Sequence, residues 1–275
     1  TYIPNHSEFY ERRWFASSMS ALSDTIELCG QHVPFGADIL FKDGKVCFAV
    51  EICEDLWVPI PPSSFHCLHG ANLIFNLSAS NEVIGKAQYR RSLVKQQSAR
   101  CITGYIYTSA GSGESTTDTG FSGHAMITEN GSLLCESNRF DEQDQLIISE
   151  MDMDRLTLDR QRATSFMGLM GSRTNLNQNY RIIPFKIKDT NIQYLHRNIE
   201  PYPFVPQEGG KREHRCEEVF SIQVGGLLKR MRHTGAKKAI LGISGGLDST
   251  LALLVTVKTF DKLKIDRKNI LGISM

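Results

Sequence analysis

Residues 50–59 read VEICEDLWVP, a cysteine set among the carboxylates Glu51, Glu54 and Asp55. The thiolate is the nucleophilic form of cysteine; negative neighbours oppose it and a nearby cation favours it. Cys53 is therefore either a core thiol at a strand end, as free cysteines commonly are, or a nucleophile whose cation comes from elsewhere. A second candidate is SGGLDST, Ser244 to Thr250. Gly245 and Gly246 let backbone N–H groups approach an anion, and the start of a following helix favours negative charge. Asp248 repels phosphate directly, so its natural partner is a Mg2+ ion bridging to a nucleotide. Ser249 and Thr250 can cap the helix or bond a phosphate oxygen. No lysine follows Gly246, which separates the stretch from a Walker loop. His66 and His69 flank Cys67 at metal-ligand spacing, but without further ligands they describe one face of a helix.

These residues need elements to hold them. KVCFAVEIC (45–53) alternates strictly. Val46, Phe48, Val50 and Ile52 face one way and Cys47, Ala49, Glu51 and Cys53 the other, as in a strand with one packed face. That strand delivers Cys53 at its C-terminal end. VPIPPSS (58–64) stops it and starts a helix at a serine cap. ANLIFNLSAS (71–80) predicts a strand, KAQYRRSLVKQQSAR (86–100) a polar helix, and CITGYIYTSAG (101–111) another strand. GHAMITENGSLLCES (123–137) predicts a hairpin around Asn130-Gly131, and QLIISEMD (145–152) a further strand. Intermixing of this kind predicts a layered α/β sandwich.

From 186 to 215 the pattern decays, and IEPYPFVPQEGGKREHR reads as an interdomain linker. Helical period returns over 216–235, with Phe220, Val224, Leu227, Leu228 and Met231 on one face. Glu217 and Glu218 lie in its first turn and Lys229, Arg230 and Arg232 near its end, matching the helix dipole. The basic end therefore reads as a solvated terminus, not a nucleic-acid patch, and Gly235 suits the C′ position. Residues 239–244 predict a strand, 249–263 a helix and 269–275 a second strand. Leu-Gly-Ile-Ser recurs 30 residues apart, the span of one parallel crossover. SGGLDST thus falls at the first strand–helix junction of a βαβ unit.

With 275 residues the chain is long enough for one large or two ordinary domains. Apolar content of 41% and charged content of 22% describe a soluble globular protein. A net charge of +1 gives no reason to expect nucleic acid or an anionic membrane as partner. The seven cysteines form no C-x-x-C pair, which argues against a disulfide framework or a zinc ribbon and predicts a reducing, cytoplasmic setting. No apolar run approaches the length of a transmembrane helix. Both ends look cut: the chain opens TYIPNHSEFYERRWF and closes NILGISM in mid-strand.

SGGLDS resembles the S-G-G-x-D-S loop of the N-type ATP pyrophosphatases, which implies transfer of AMP to a substrate oxygen rather than transfer of a γ-phosphoryl group. EICEDLWVPIPPSS resembles the nucleophile strand of the nitrilase superfamily in the form carried by glutamine-dependent NAD+ synthetases. TYIPNHSEFYERRWF, NLSASNEVIGKAQYRRSLV, SAGSGESTTDTGFSGH and FVPQEGGKREHRCEEVFSIQVGGLLKRM resemble that family too, in its order. The resemblance covers essentially the whole chain. It implies an α/β fold: the C-terminal part of a nitrilase-like α-β-β-α sandwich over 1–185, a linker over 186–215, and over 216–275 the first βαβ unit of a doubly wound parallel-sheet domain.

Nitrilase chemistry uses Glu, Lys and Cys: the thiolate attacks an amide, the lysine steadies thiolate and oxyanion, and the glutamate relays protons. The resemblance puts that lysine one residue before Thr1 and the first glutamate further upstream. Cys53 is then the nucleophile, Glu8 the auxiliary glutamate, and Glu54 the residue whose backbone N–H completes the oxyanion hole. His6, Phe9, Trp57, Ser80 and Lys86 match glutamine-pocket positions, with His6 where tyrosine is expected and Lys86 where arginine is common. Gly242, Ile243, Ser244, Gly245, Gly246, Leu247, Asp248 and Ser249 match the ATP site, Asp248 as the Mg2+ ligand. The implied partners are glutamine, nicotinic acid adenine dinucleotide and ATP with Mg2+, in a homo-oligomer with no tightly bound organic cofactor or zinc. The expectation for the chain alone is that it neither hydrolyses glutamine nor makes NAD+. The alternatives are another glutamine-fed adenylating amidotransferase and a non-catalytic fragment or binding module.

Overall fold

Alternation over 46–52 does produce a strand, and it lies inside a mixed sheet. The computed structural model describes residues 9–114, 119–171, 179–188, 194–205 and 209–274. The chain divides into two compact units, residues 1–198 and 199–275. In the first, a hairpin of β1 (Thr25–Leu28) and β2 (Gln31–Pro34) stands apart from a seven-stranded sheet. The sheet is built from β3 (Ile39–Asp43), β4 (Val46–Ile52), β5 (Leu73–Ser78), β6 (Gly104–Ser109), β7 (Ala125–Glu129), β8 (Ser132–Glu136) and β9 (Arg181–Pro184). Its order is β8-β7-β6-β5-β4-β3-β9, with β4, β5 and β6 mutually parallel at the centre. Parallel neighbours need crossovers, supplied by helices α1 (Pro62–Leu68) and α2 (Lys86–Cys101). Helices α3 (Met153–Arg162) and α4 (Thr164–Gly171) follow β8.

The packed face of β4 is the less hydrophobic one. Cys47, Ala49 and Glu51 are buried, while Val50 and Ile52 are 40% and 50% exposed. Small side chains at 47 and 49 let α1 approach closely, and Cys67, Val94, Cys101, Ile74, Tyr105 and Tyr107 complete that core. Each large apolar side chain withdrawn from water there contributes about 1.5–3 kcal/mol. On the opposite face Phe48 stacks on Phe41 at 4.8 Å and meets Phe75 and Phe185 edge-on at 5.4 and 5.2 Å.

Other expectations need correction. Helix α1 is entered through Pro61, with Pro62 at the first helical position, rather than through a serine cap; the Ser63 N–H is taken instead by the Glu51 carboxylate at 2.8 Å. Residues 145–152 form no strand. Their polar groups are engaged sideways: the Asp152 N–H donates to Glu129 at 2.7 Å, and the Glu150 carboxylate accepts the backbone N–H groups of His196 and Arg197 at 2.8 Å each.

In the second unit α5 (Gly209–Thr234) starts well before Cys216, so the end of the 186–215 stretch is helical. Gly235, just past it, sits at φ +69°, as a C′ residue should. β10 (Ala239–Ile243), α6 (Leu247–Leu263) and β11 (Ile270–Ser274) form the βαβ unit, β10 and β11 pairing in parallel with Leu241 opposite Gly272. Val224 and Met231 of α5 are buried, as are Val255 and Phe260 of α6, and the two helices pack together. Met275 lies outside the described residues.

Candidate active site

β4 ends at Ile52 and the chain turns at once into a 3-10 turn, Cys53–Leu56. Cys53 takes φ +43°, a left-handed conformation that costs a side-chain-bearing residue about 1–2 kcal/mol. Asp55 holds the turn by accepting the Ile52 N–H at 2.8 Å, and the Trp57 N–H closes it on the Glu54 carbonyl at 2.9 Å. The sulfur is thereby lifted off the end of a parallel strand and stays partly exposed. Burial pushes the Cys53 thiol above its ordinary value; the Ala79 N–H and the Lys86 ammonium act the other way, and Glu54 adds to the rise. Ser78, like Ala79 and Lys86, acts to lower it.

Trp57, half-buried on the same turn, faces Tyr89 at 5.6 Å, and the Lys86 ammonium sits 5.3 Å from the Trp57 ring. Lys86 opens α2 and donates to Asn81 Oδ1 at 2.6 Å. A cation is thus brought to Cys53 from within the chain, and it is the residue matched to the substrate rather than to the nitrilase triad. Ser80 is buried; its N–H donates to the Ser109 hydroxyl at 3.1 Å and its own hydroxyl meets the Arg90 guanidinium at 3.5 Å. Phe9 is half-buried at the start of the described chain. His6 and Glu8 lie outside the described residues.

Sequence reasoning missed the residues that hold the Ser80–Lys86 loop. Arg90, fully buried, donates to Glu82 at 2.7 Å and lies 3.0 Å from His124 Nδ1; His124 Nε2 meets Glu136 at 2.6 Å. Burial alone would raise the Glu82 carboxyl, but Arg90, Ser122 and Arg139 together hold it below its ordinary value. Burial keeps His124 below its ordinary value against the pull of Glu136. The signal for Arg90 was the density of charge on α2, which reads equally as a solvated face. His66 and His69 both turn to Tyr180: His66 Nδ1 lies 2.8 Å from its hydroxyl and the His69 ring stacks on it at 4.0 Å. Among the described residues no group of three or more potential ligands converges.

In the second unit the glycine loop stands between β10 and α6. Gly245 takes φ +85° and Gly246 caps the helix, so α6 begins at Leu247 rather than Ser249. Ser249 and Thr250 therefore do not cap it; their hydroxyls donate to the Gly246 carbonyl at 3.0 and 2.9 Å. The Ser244 hydroxyl lies 3.4 Å from that of Ser249. Leu247 and Asp248 are exposed in the first helical turn, and Gly242 and Ile243 end β10. Hydroxyls and a carboxylate at a helix start are hard oxygen donors of the kind Mg2+ takes.

The first unit is an α/β sheet with its thiol at the C-terminal end of a strand, and the second is a parallel unit with a glycine loop. The family model for NAD synthase matches residues 220–275. A glutamine-dependent NAD(+) synthetase of Mycobacterium tuberculosis (strain ATCC 25618 / H37Rv) is 39% identical over 280 residues, covering all of this chain and 41% of that protein. One from Thermotoga maritima is 27% identical over 281 residues, covering 99% of this chain and 41% of the relative. The crystal structure of a glutamine-dependent NAD(+) synthetase from Cytophaga hutchinsonii superposes with a TM-score of 0.48 at 22% identity, over 96% of this chain and 34% of that one. The chain is similar along its whole length to the Mycobacterium tuberculosis and Thermotoga maritima glutamine-dependent NAD(+) synthetases, and spans about two fifths of their length.

Proposed function

We propose that this chain carries the glutamine-cleaving thiol and the ATP loop of a glutamine-dependent NAD+ synthesis. The observation that carries the reading is the Cys53 thiol in its left-handed turn at the end of β4, where the Lys86 ammonium favours its thiolate. The thiolate attacks the side-chain amide of glutamine, the carbon–nitrogen bond breaks, ammonia leaves, and water releases glutamate from the thioester. Glu54 lends its backbone N–H to the oxyanion, Glu8 assists proton movement, and His6, Phe9, Trp57, Ser80 and Lys86 hold the substrate, Lys86 as the cation for its carboxylate. Residues Gly242 to Ser249 bind ATP. Asp248 would hold Mg2+, which neutralises phosphate charge. The carboxylate of nicotinic acid adenine dinucleotide displaces pyrophosphate from ATP, and ammonia then displaces AMP to give NAD+. Seven free thiols suit a cytoplasmic setting, and no helix among the described residues is long and apolar enough to cross a membrane. A homo-oligomer is part of the proposal.

The test is NAD+ formation by the full-length protein with glutamine or with ammonium salts. Cys53→Ala abolishes the glutamine-supported rate and spares the ammonia-supported one, whereas Asp248→Asn suppresses both. Glutamine-supported synthesis by Cys53→Ala would show that the sulfur is not the nucleophile.

A further inference from the structure

Between β5 and α2 the chain runs through a loop that delivers Ser80 and Lys86 to the site. Apolar packing does not hold its tip: Val83 is 59% exposed, Ile84 is fully exposed, and Gly85 takes φ +82°. The loop is fastened at Glu82. The Glu82 N–H donates to the Gly120 carbonyl at 2.8 Å, and its Oε1 accepts Arg90 Nη1 at 2.7 Å and the Ser122 hydroxyl at 2.5 Å. Next to Glu82, Asn81 Oδ1 accepts the Lys86 ammonium at 2.6 Å. Arg90, one turn after Lys86 on the same face of α2, also reaches the Ser80 hydroxyl at 3.5 Å.

Donor and acceptor chemistry fixes how Arg90 is itself held. A guanidinium only donates, so His124 Nδ1, 3.0 Å from Arg90 Nη1, accepts, and the ring proton sits on Nε2. That proton goes to Glu136 Oε1 at 2.6 Å, and Arg91 grips the same oxygen through Nε and Nη2 at 3.0 and 2.7 Å. The two protons of Arg90 Nη1 are thus divided, one to Glu82 and one to the imidazole. Arg90, His124 and Ser122 are all closed to solvent. A buried ion pair adds little stability over apolar side chains of like volume; what its directed bonds supply is geometry.

We propose that Arg90, Glu82 and His124 are positioning residues for glutamine binding: the Arg90 guanidinium, oriented by His124, clamps Glu82 and so places Ser80 and the Lys86 ammonium for the substrate. This deepens the glutamine-cleaving reading and rests on it for the identity of the substrate. Lys86 faces the α-carboxylate, which carries the same charge in glutamine and in the transition state for cleavage of the side-chain amide. What the clamp supplies is therefore uniform binding, and its loss raises KM while sparing kcat.

The experiment is steady-state glutamine cleavage by the full-length protein, with ammonia-supported NAD+ synthesis measured alongside. Arg90→Lys keeps the charge and loses the fork. Its KM for glutamine rises about tenfold, the worth of one charged hydrogen bond, while kcat stays within about twofold and the ammonia-supported rate is unchanged. Glu82→Gln raises KM in the same way and replaces Arg90→Lys should that variant not fold. Because both act through one clamp, the double variant is no worse than the poorer single one, whereas general loosening of the core would add the two losses. His124→Asn, which keeps an acceptor for Arg90, retains a KM near the wild-type value, and His124→Leu does not. An unchanged KM in Arg90→Lys and Glu82→Gln, a fall in kcat matching the rise in KM, additive losses, or equal KM values in the two His124 variants overturns the proposal. Wild-type protein that makes NAD+ from ammonia and cleaves no glutamine removes the glutamine-cleaving reading and the clamp's role with it. Wild-type protein that cleaves glutamine, with KM unmoved in the variants, removes the clamp alone.

Discussion

Asp55 accepts the Ile52 N–H and Glu51 accepts from Ser63 and Tyr105, so of the three carboxylates beside Cys53 it is Glu54 that bears on the sulfur. Burial governs other titrating groups as well. His66, closed in against Tyr180, is pushed down to about 4. An unfolded chain binds that proton near the ordinary value of 6.5, so the folded form holds fewer protons between the two values. The stability tied to a neutral His66 is therefore complete above about pH 6.5 and is lost as pH falls towards 4, at no more than about 1.4 kcal/mol per pH unit. His66→Gln, which keeps a polar partner for Tyr180, should shrink the drop in urea midpoint between neutral pH and pH 5. An equal drop in both proteins would assign the acid sensitivity to other groups.

At the scale of elements, the β7–β8 hairpin depends on Asn130 and Gly131, at φ +44° and +81°. The Gly131 N–H donates to the Ser98 hydroxyl of α2 at 3.1 Å, and a Cβ on Gly131 would stand 2.8 Å from that of Ala99. Strain and collision act together in Gly131→Ala, so urea unfolding should report a loss of about 1–3 kcal/mol. This hairpin was legible because its turn dipeptide states its backbone requirement. β4 was legible as a strand, but its faces were not: alternation reveals two faces and cannot say which one the helices cover. The strand expected over 145–152 failed because periodicity does not register that the Glu150 carboxylate and the Asp152 N–H are tied by other groups. β3 and β9 are short, and the pairing between them joins segments far apart in sequence. At the site, Cys53, Trp57, Ser80 and Lys86 were legible through their spacing within a family pattern. Arg90 looked like an ordinary helix residue, because only the fold aims it at Glu82 in the loop before Lys86.

For the whole molecule, the proposed chemistry is divided between the two units: the thiol lies within residues 1–198 and the glycine loop within 199–275. Ammonia released in water at neutral pH becomes ammonium, which has no lone pair to displace AMP. Coupled synthesis therefore requires that nitrogen from glutamine reach the adenylate without exchanging with solvent. The full-length protein can be given unlabelled glutamine together with isotopically heavy ammonium. The amide nitrogen of the NAD+ formed should then be light. In Cys53→Ala, where glutamine supplies nothing, it should be heavy, and Asp248→Asn should make little product of either kind. Heavy nitrogen in the wild-type product at the proportion present in bulk would show that the two chemistries meet only through solvent. That outcome would leave Cys53 as a glutaminase but sever it from the loop at Ser244–Ser249.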